Sequence, residues 1–217
     1  ITEALLAQGC KMIVIACNTA SAAALRPLRE AYPDIPFVGM EPAVKPAAEI
    51  TRTGKVGVLA TPATFQGALY ASVVERFGAG VELFQHTCPG LVGQIEKGEL
   101  QSVATRAILE DALSPMLEKN IDTVVLGCTH YPFVIPLIED IVGDQVRVID
   151  PAPAVARQVG RLLDAKSLRN SSEVKGNLQI FTSGSVDAAK SILPKLLNEM
   201  ADVAPVHWIS DLQLEMD

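Results

Sequence analysis

The stretch KMIVIACNTASAAAL, residues 11–25, sets an apolar, β-branched run directly before a cysteine and a series of small side chains. A second stretch, DTVVLGCTHYPFVI at residues 122–135, repeats this order. In both, we predict that a strand ends at a cysteine, Cys17 or Cys128, and that a helix begins just after it. Any interpretation of the chain therefore has to account for two cysteines in the same local setting.

Apolar runs alternate with segments of helical spacing along the rest of the chain. The run KVGVLA, residues 55–60, is continuously apolar after its lysine, which is typical of a strand in a sheet covered on both faces. Thr61 before Pro62 and Ser185 before Val186 are typical residues for the start of a helix. The alternation predicts an α/β protein with mainly parallel sheets covered by helices.

Two junctions suggest how the chain divides into domains. GMEPAVKPAAE at residues 39–49 and VIDPAPAVARQ at residues 148–158 both leave a strand through an acidic residue and a proline. If both segments cross between domains, residues 42–152 form one domain, and residues 1–41 and 153–217 together form the other. Cys17 and Cys128 would then come from different domains.

Composition limits the kinds of partner. The 217 residues are 49% hydrophobic and 20% charged, as expected for an ordinary globular protein. The net charge of -7 and the lack of a Lys/Arg cluster argue against a nucleic-acid partner. Apolar runs too short to cross a bilayer, with no basic segment before a signal-like run, argue against a membrane and favour the cytoplasm. We expect a small molecule as the partner.

The position of the two cysteines predicts acid/base chemistry. Ligands of parallel α/β sheets lie beyond the carboxyl ends of the strands, where helix N–H groups point outward. A thiol at such a place is expected to have a lowered pKa and to act as a base or nucleophile. The N–H groups, with Asn18, Thr19 and Thr129, would bind a carboxylate without arginine. His130 would set the protonation state of Cys128.

Other interpretations of the same residues remain open. A single cysteine at a strand end is usually a small buried hydrophobe. The triplets HTC at 86–88 and CTH at 128–130 could supply four zinc ligands, His86, Cys88, Cys128 and His130. The site could also hold a dicarboxylate without turning it over. Glu96, in QIEKGE, is most simply a solvated carboxylate at a helix end.

Five segments together resemble one family: VIACNTASA, GCTHYPF, VGVLAT, CPGLVGQIEKG and VIDPA. The chain is similar along nearly its whole length to bacterial glutamate racemases of the cofactor-independent Asp/Glu racemase superfamily. The resemblance implies two pseudo-symmetric α/β domains with the active site in the cleft between them, and no cofactor. It also implies that Cys17 and Cys128 exchange the roles of base and acid on opposite faces of the substrate.

The resemblance further implies a set of site residues and a biological role. Aspartate racemases typically carry an acidic residue in place of His130, so CTHYP favours glutamate, with aspartate or hydantoin racemisation as alternatives. The product D-glutamate would supply peptidoglycan synthesis and so maintain the cell wall and cell shape. Members are often dimers, so a homodimer is one implied arrangement. Substrate contacts or assistance are implied for Asn18, Thr19, Thr129 and His130, and positions facing the cleft for Thr61, Thr64 and Glu96.

The resemblance is incomplete at the N-terminus. Family members begin with a strand and an Asp-Ser-Gly loop, followed by a Pro-Tyr-Gly segment, and neither motif occurs in these 217 residues. The first residues, ITEALLAQG, instead look like a helix already under way. We therefore expect the 217-residue chain by itself to lack ordinary racemase activity, and the protein with those motifs to be active.

Overall fold

The structure is a computed structural model that describes residues 1–174, 176–198, 201–210 and 213–216. The α-helices among these residues are α1 Thr2–Ala7, α2 Asn18–Ala31, α3 Val44–Ile50, α4 Pro62–Gln66, α5 Ala68–Phe77, α6 Leu91–Glu96, α7 Val103–Glu118, α8 Ile135–Val142, α9 Ala152–Ala165 and α10 Val186–Leu197. The strands are β1 Ile13–Val14, β2 Phe37–Val38, β3 Lys55–Ala60, β4 Glu82–His86, β5 Thr123–Gly127, β6 Arg147–Ile149, β7 Gln179–Thr182, β8 Asp202–Trp208 and β9 Leu214–Met216.

The largest sheet has four parallel strands in the order β4-β3-β5-β6. Its central strands send alternate side chains to opposite faces, as the pleat requires. Leu126 packs with α7 and α8 residues such as Leu113 and Ile138 on one face. Val125 packs with α3 and α5 residues such as Val73 on the other. Helices therefore cover both faces, and the predicted α/β fold with mainly parallel sheets is confirmed.

Two smaller sheets lie outside this layer. Strand β1 pairs in parallel with β2, matching Ile13 with Phe37 and Val14 with Val38. Strand β8 pairs in parallel with β7 and antiparallel with β9, which the sequence pattern did not predict. All four strands of the large sheet fall within residues 42–152, and the smaller sheets fall outside that range. The proposed division into two domains remains a prediction.

The predicted strand before Cys17 is confirmed, but it is short and only half buried. Strand β1 has just two residues; Ile13 is buried, but Val14 is 41% exposed. Within the described residues β1 pairs with β2 alone, so no neighbouring strand covers its other edge. By contrast, all five residues of β5, the strand before Cys128, are buried.

Helix boundaries follow the sequence with two differences. The N-caps are confirmed, because the Thr61 and Ser185 hydroxyls accept bonds from the amides of Thr64 and Ala188. The helix whose start is marked by Thr61 ends at Gln66, and α5 begins at Ala68, because the backbone at Gly67 between them is extended. The helix predicted after Cys128 begins as a 3₁₀ turn, Tyr131–Val134, before α8.

Asp122, just before β5, holds together the end of the large sheet at which β3 and β5 begin. Its carboxylate accepts hydrogen bonds from Thr51 Oγ1 at 2.6 Å, from the Arg52 amide at 2.6 Å and from the Thr53 amide at 3.0 Å. Burial alone would raise the pKa of Asp122, but these hydrogen bonds lower it below the usual value. One carboxylate thus joins the turn between α3 and β3 to the start of β5.

Among the described residues, no helix is both long and apolar enough to cross a membrane.

Candidate active site

Three strand ends meet at the candidate site. Cys17 is the N-cap of α2 just after β1, Thr61 is the N-cap of α4 just after β3, and Cys128 directly follows β5. Parallel strands present their carboxyl ends at one edge of the sheet, and the helices that follow point their N-termini there. Side-chain hydrogen bonds join the segment after β1, which lies in the two-stranded sheet, to the ends of β3 and β5 in the large sheet.

The two cysteine segments contact each other directly. Asn18 Nδ2 donates to the Gly127 carbonyl at 3.0 Å. Thr129 Oγ1 donates to the Ala16 carbonyl at 2.6 Å. Asn18 is only 3% exposed, and its Oδ1 atom is buried without a hydrogen-bond partner in the structure described. The prediction that the two segments lie together is met by these bonds.

Three threonines connect the Cys17 segment to the end of β3. Thr19 Oγ1 lies 3.3 Å from Thr61 Oγ1 and 3.1 Å from Thr64 Oγ1. The Thr61 and Thr64 hydroxyls are themselves 3.1 Å apart. The structure therefore gathers the threonines that were named separately from the sequence into one cluster of hydroxyls beside Cys17.

The two thiols lie in different surroundings. Cys17 is exposed, whereas Cys128 is 9% exposed and belongs to the large hydrophobic core. Burial raises the pKa of the Cys128 thiol, and the charge of Cys17 raises it further, while backbone amides of His130 and Tyr131 oppose the rise. The expectation of a lowered pKa is wrong for Cys128, because removal from water outweighs the amides at the helix start.

His130 links Cys128 to a carboxylate. Its Nδ1 atom lies 3.9 Å from Cys128 Sγ, and its Nε2 atom lies 3.1 Å from Glu96 Oε1. Glu96 is the last residue of α6 and its side chain is 65% exposed. The carboxylate that the sequence alone placed at a solvated helix end is therefore also the partner of His130.

Three residues near Cys128, namely Tyr131, Cys88 and Gly127, have structural roles that the sequence did not predict. The buried Tyr131 hydroxyl donates to the Thr87 carbonyl at 3.2 Å. Cys88 has a φ of 45°, and burial raises the pKa of its thiol to about 12. At Gly127, a Cβ atom would lie 2.7 Å from Ala60 Cβ, so the ends of β3 and β5 approach too closely for a side chain there. The sequence shows the glycine but not the neighbour.

The residues of the zinc alternative make other contacts. His86 Nδ1 accepts from the Cys88 amide at 3.1 Å, and His86 Nε2 lies 3.7 Å from Asp111. His130 faces Glu96 as described above. Within residues 1–174, 176–198, 201–210 and 213–216, no three His, Cys, Asp or Glu side chains are grouped so as to hold a metal ion.

Comparison with known sequences finds one family. The profile of the Asp/Glu/hydantoin racemase family matches residues 1–159. The glutamate racemase of Ectopseudomonas mendocina is 50% identical over 203 residues, which cover 94% of this chain and 77% of that protein. The glutamate racemase of Pseudomonas aeruginosa PAO1 is 50% identical over 196 residues, covering 90% of this chain and 74% of that protein.

Solved structures show the same similarity. Escherichia coli glutamate racemase, in complex with L-glutamate and the activator UDP-MurNAc-Ala, superposes with a TM-score of 0.80 at 29% identity, covering 94% of this chain and 77% of that one. Francisella tularensis glutamate racemase, in complex with D-glutamate, superposes with a TM-score of 0.77 at 28% identity, covering 95% and 76%. The fold and the sequence therefore point to the same relatives.

Proposed function

This chain belongs to the Asp/Glu/hydantoin racemase family, and from that premise we propose that it interconverts L- and D-glutamate by transferring protons between two cysteines and the α-carbon. The observation that carries the proposal is the meeting of the Cys17 and Cys128 segments through two direct hydrogen bonds. Inverting a stereocentre requires a base on one face and an acid on the other. Two thiols on separate strand ends supply both.

In the proposed reaction, one thiolate removes the α-proton, so that the Cα–H bond breaks and an S–H bond forms. The other thiol then gives its proton to the opposite face of the carbanion and becomes the thiolate. For the other enantiomer the roles reverse. The buried position of Cys128 favours its neutral form and suits it to begin as the acid, because burial raises the pKa of that thiol.

The surrounding groups fit an amino acid substrate. The buried Oδ1 of Asn18 is an acceptor suited to an ammonium group. The hydroxyls of Thr19, Thr61 and Thr64 are donors suited to a carboxylate. Thr129 remains a proposed contact as well. No lysine occurs in VIACNTASA or GCTHYPF to form a Schiff base, so we propose that these donors stabilise the carbanion without a cofactor.

The choice of glutamate rests on the relatives and on His130. The relatives named above are glutamate racemases, and two of their structures contain L- or D-glutamate. We propose that His130 adjusts the protonation of Cys128 and that Glu96 orients its imidazole through the contact at Nε2. Aspartate or hydantoin racemisation is the alternative within the family.

The proposed role is to supply D-glutamate for peptidoglycan in the cytoplasm, and hence to support the bacterial cell wall and cell shape. A homodimer, with neither nucleic acid nor membrane as partner, completes the proposal. These points rest on the resemblance and on the net charge of -7.

The test is solvent exchange at the α-carbon. The protein is incubated with L-glutamate in D₂O, and the product is analysed by chiral chromatography and mass spectrometry. We expect D-glutamate carrying deuterium, with L-aspartate as the control substrate unchanged. Glutamate binding without deuterium uptake would reject the enzyme proposal in favour of a binding protein, and faster exchange of aspartate would reject glutamate as the substrate.

A further inference from the structure

The two hydrogen bonds between the cysteine segments are reciprocal. Asn18, the residue after Cys17, bonds to the carbonyl of Gly127, the residue before Cys128. Thr129, the residue after Cys128, bonds to the carbonyl of Ala16, the residue before Cys17. Each segment thus uses the side chain that follows its cysteine to hold the peptide that precedes the other. We name this pair of bonds the clasp.

We infer that the clasp sets the separation of the two thiols, and that Asn18 and Thr129 are positioning residues for Cys17 and Cys128. Each bond ends one peptide unit from a cysteine, so it fixes the backbone that carries the sulfur atom. Because the two bonds join the cysteine segments at two points, they restrain both rotation and sliding of one segment relative to the other. A single bond would not restrain both.

The two bonds of the clasp differ in their burial and in their length. Asn18 is buried, so its bond is shielded from water. Breaking this bond would leave a buried amide group without a hydrogen-bond partner, which is unfavourable. Thr129 is exposed, but its bond is short at 2.6 Å. Both donors reach carbonyls of another strand end rather than their own helix, although Asn and Thr commonly bond to nearby backbone. Local capping therefore does not account for them.

The spacing matters because proton transfer is sensitive to geometry. A thiol displaced by about 1 Å can cost on the order of 100-fold in rate. The clasp therefore affects turnover through the placement of both sulfur atoms, while adding no charge to either. The expected effect of the clasp on turnover rests on the proposed racemisation, whereas its effect on the separation of the two thiols does not.

The direct test measures the thiol spacing with bifunctional methanethiosulfonates of increasing spacer length, in a Cys10→Ser background at alkaline pH. Cross-linked Cys17–Cys128 peptides are quantified by mass spectrometry. We expect one favoured spacer length for the parent protein and a broad distribution for Thr129→Val, which keeps the side-chain shape but removes the hydroxyl. Thr129→Ser should restore the favoured length. Thr53→Val, which removes an exposed hydroxyl at the opposite end of β3, is the matched control.

Turnover provides the second readout. We expect Thr129→Val to lower kcat by about 10- to 100-fold with an unshifted pH profile, and Thr129→Ser to recover most of kcat. Asn18→Ala should lower kcat as well and also raise KM, because Asn18 is a proposed substrate contact. A spacer preference that is unchanged in folded Thr129→Val and Asn18→Ala overturns the clasp, whatever happens to turnover. A broadened preference in a protein that never racemises glutamate supports the clasp and rejects the proposed function instead.

Discussion

The segments around Cys17 and Cys128 share a sequence pattern but differ in how deeply they are buried. The strand before Cys17 has two residues and one sheet neighbour, and the helix after it buries only Asn18 and Ser21. The strand before Cys128 has five buried residues in the middle of a four-stranded sheet. The same motif therefore yields an exposed thiol in one place and a buried thiol in the other.

This difference shows that a motif fixes the position of a side chain but not its environment. Both cysteines lie at a strand-to-helix junction, as the sequence predicted. Only Cys128 is surrounded by core residues, which raise the pKa of its thiol. A pair of catalytic groups that look equivalent in sequence can thus differ in the protonation state that each one favours.

The largest effect is expected from removing either thiol. Cys17→Ser and Cys128→Ser should each lower racemisation by about 10²- to 10⁴-fold, because one face of the substrate loses its acid/base group. The remaining cysteine should still exchange the α-proton of one enantiomer with D₂O, and the two variants should prefer opposite enantiomers. Exchange is measured by NMR on each pure enantiomer. Near-normal racemisation in both variants would refute the assignment, and Cys10→Ser is the control.

Asp122 anchors the start of β5, the strand that leads to Cys128. Asp122→Asn should lower the free energy of unfolding by about 1–3 kcal/mol, because two backbone amides and a hydroxyl lose a charged acceptor. The folded state holds the pKa of Asp122 below its unfolded value of about 3.9. The extra stability is therefore complete above that value and is lost as pH falls toward the folded pKa.

Urea unfolding between pH 3 and pH 7 measures this effect. Asp144→Asn, which changes an exposed aspartate near the same turn, is the control and should alter stability little. If the parent and Asp122→Asn differ as much at pH 3 as at pH 7, the charge of Asp122 is not what stabilises this end of the sheet.

The contrast in burial predicts a contrast in reactivity. At pH 7 iodoacetamide should label Cys17 at least about tenfold faster than Cys128, because Cys128 is enclosed and its pKa is raised. Peptide mass spectrometry of timed samples gives both rates. In urea the two rates should converge, since both thiols are then in water. Equal rates in the folded protein would contradict the assigned difference in environment.

The smallest effect is also the most specific to the comparison. Cys17 is an N-cap whose side chain makes no capping bond, and serine is a preferred N-cap. We expect Cys17→Ser to raise the free energy of unfolding by roughly 0.5–1 kcal/mol. Cys128→Ser should lower it by roughly 1 kcal/mol, because it buries a hydroxyl in a hydrophobic cluster. Thermal unfolding of both variants gives the signs, and two shifts of the same sign would contradict the prediction.

Local patterns were sufficient to predict most elements. Apolar runs located the strands of the large sheet, and Thr61 and Ser185 located two helix starts. The break at Gly67 and strand β9 were missed, because an extended glycine and a short terminal strand are settled by contacts rather than by local pattern. The weak burial of β1 also depends on which strands lie beside it.

The candidate site was predicted in its members but not in its bonds. Cys17, Cys128 and Thr19 could be named because each follows a predicted strand, whereas Thr61 and Thr64 were named as site residues only from the family resemblance. The sequence could not show that Thr129 reaches Ala16, since such a bond depends on how two distant segments are superposed. It also could not show that burial outweighs the helix start at Cys128, because that balance depends on the depth of the core.

The missing side chain at Gly127 determines how closely β3 and β5 can approach each other at this point. A methyl group there would lie 2.7 Å from Ala60 Cβ and 3.2 Å from the Leu59 carbonyl, so even alanine would wedge β3 and β5 apart beside the buried thiol. The ends of β3 and β5 can therefore pair as closely as they do, one residue before Cys128, because position 127 carries no side chain. A larger residue at this position would shift the backbone that carries Cys128 while leaving every side chain of the proposed site unchanged.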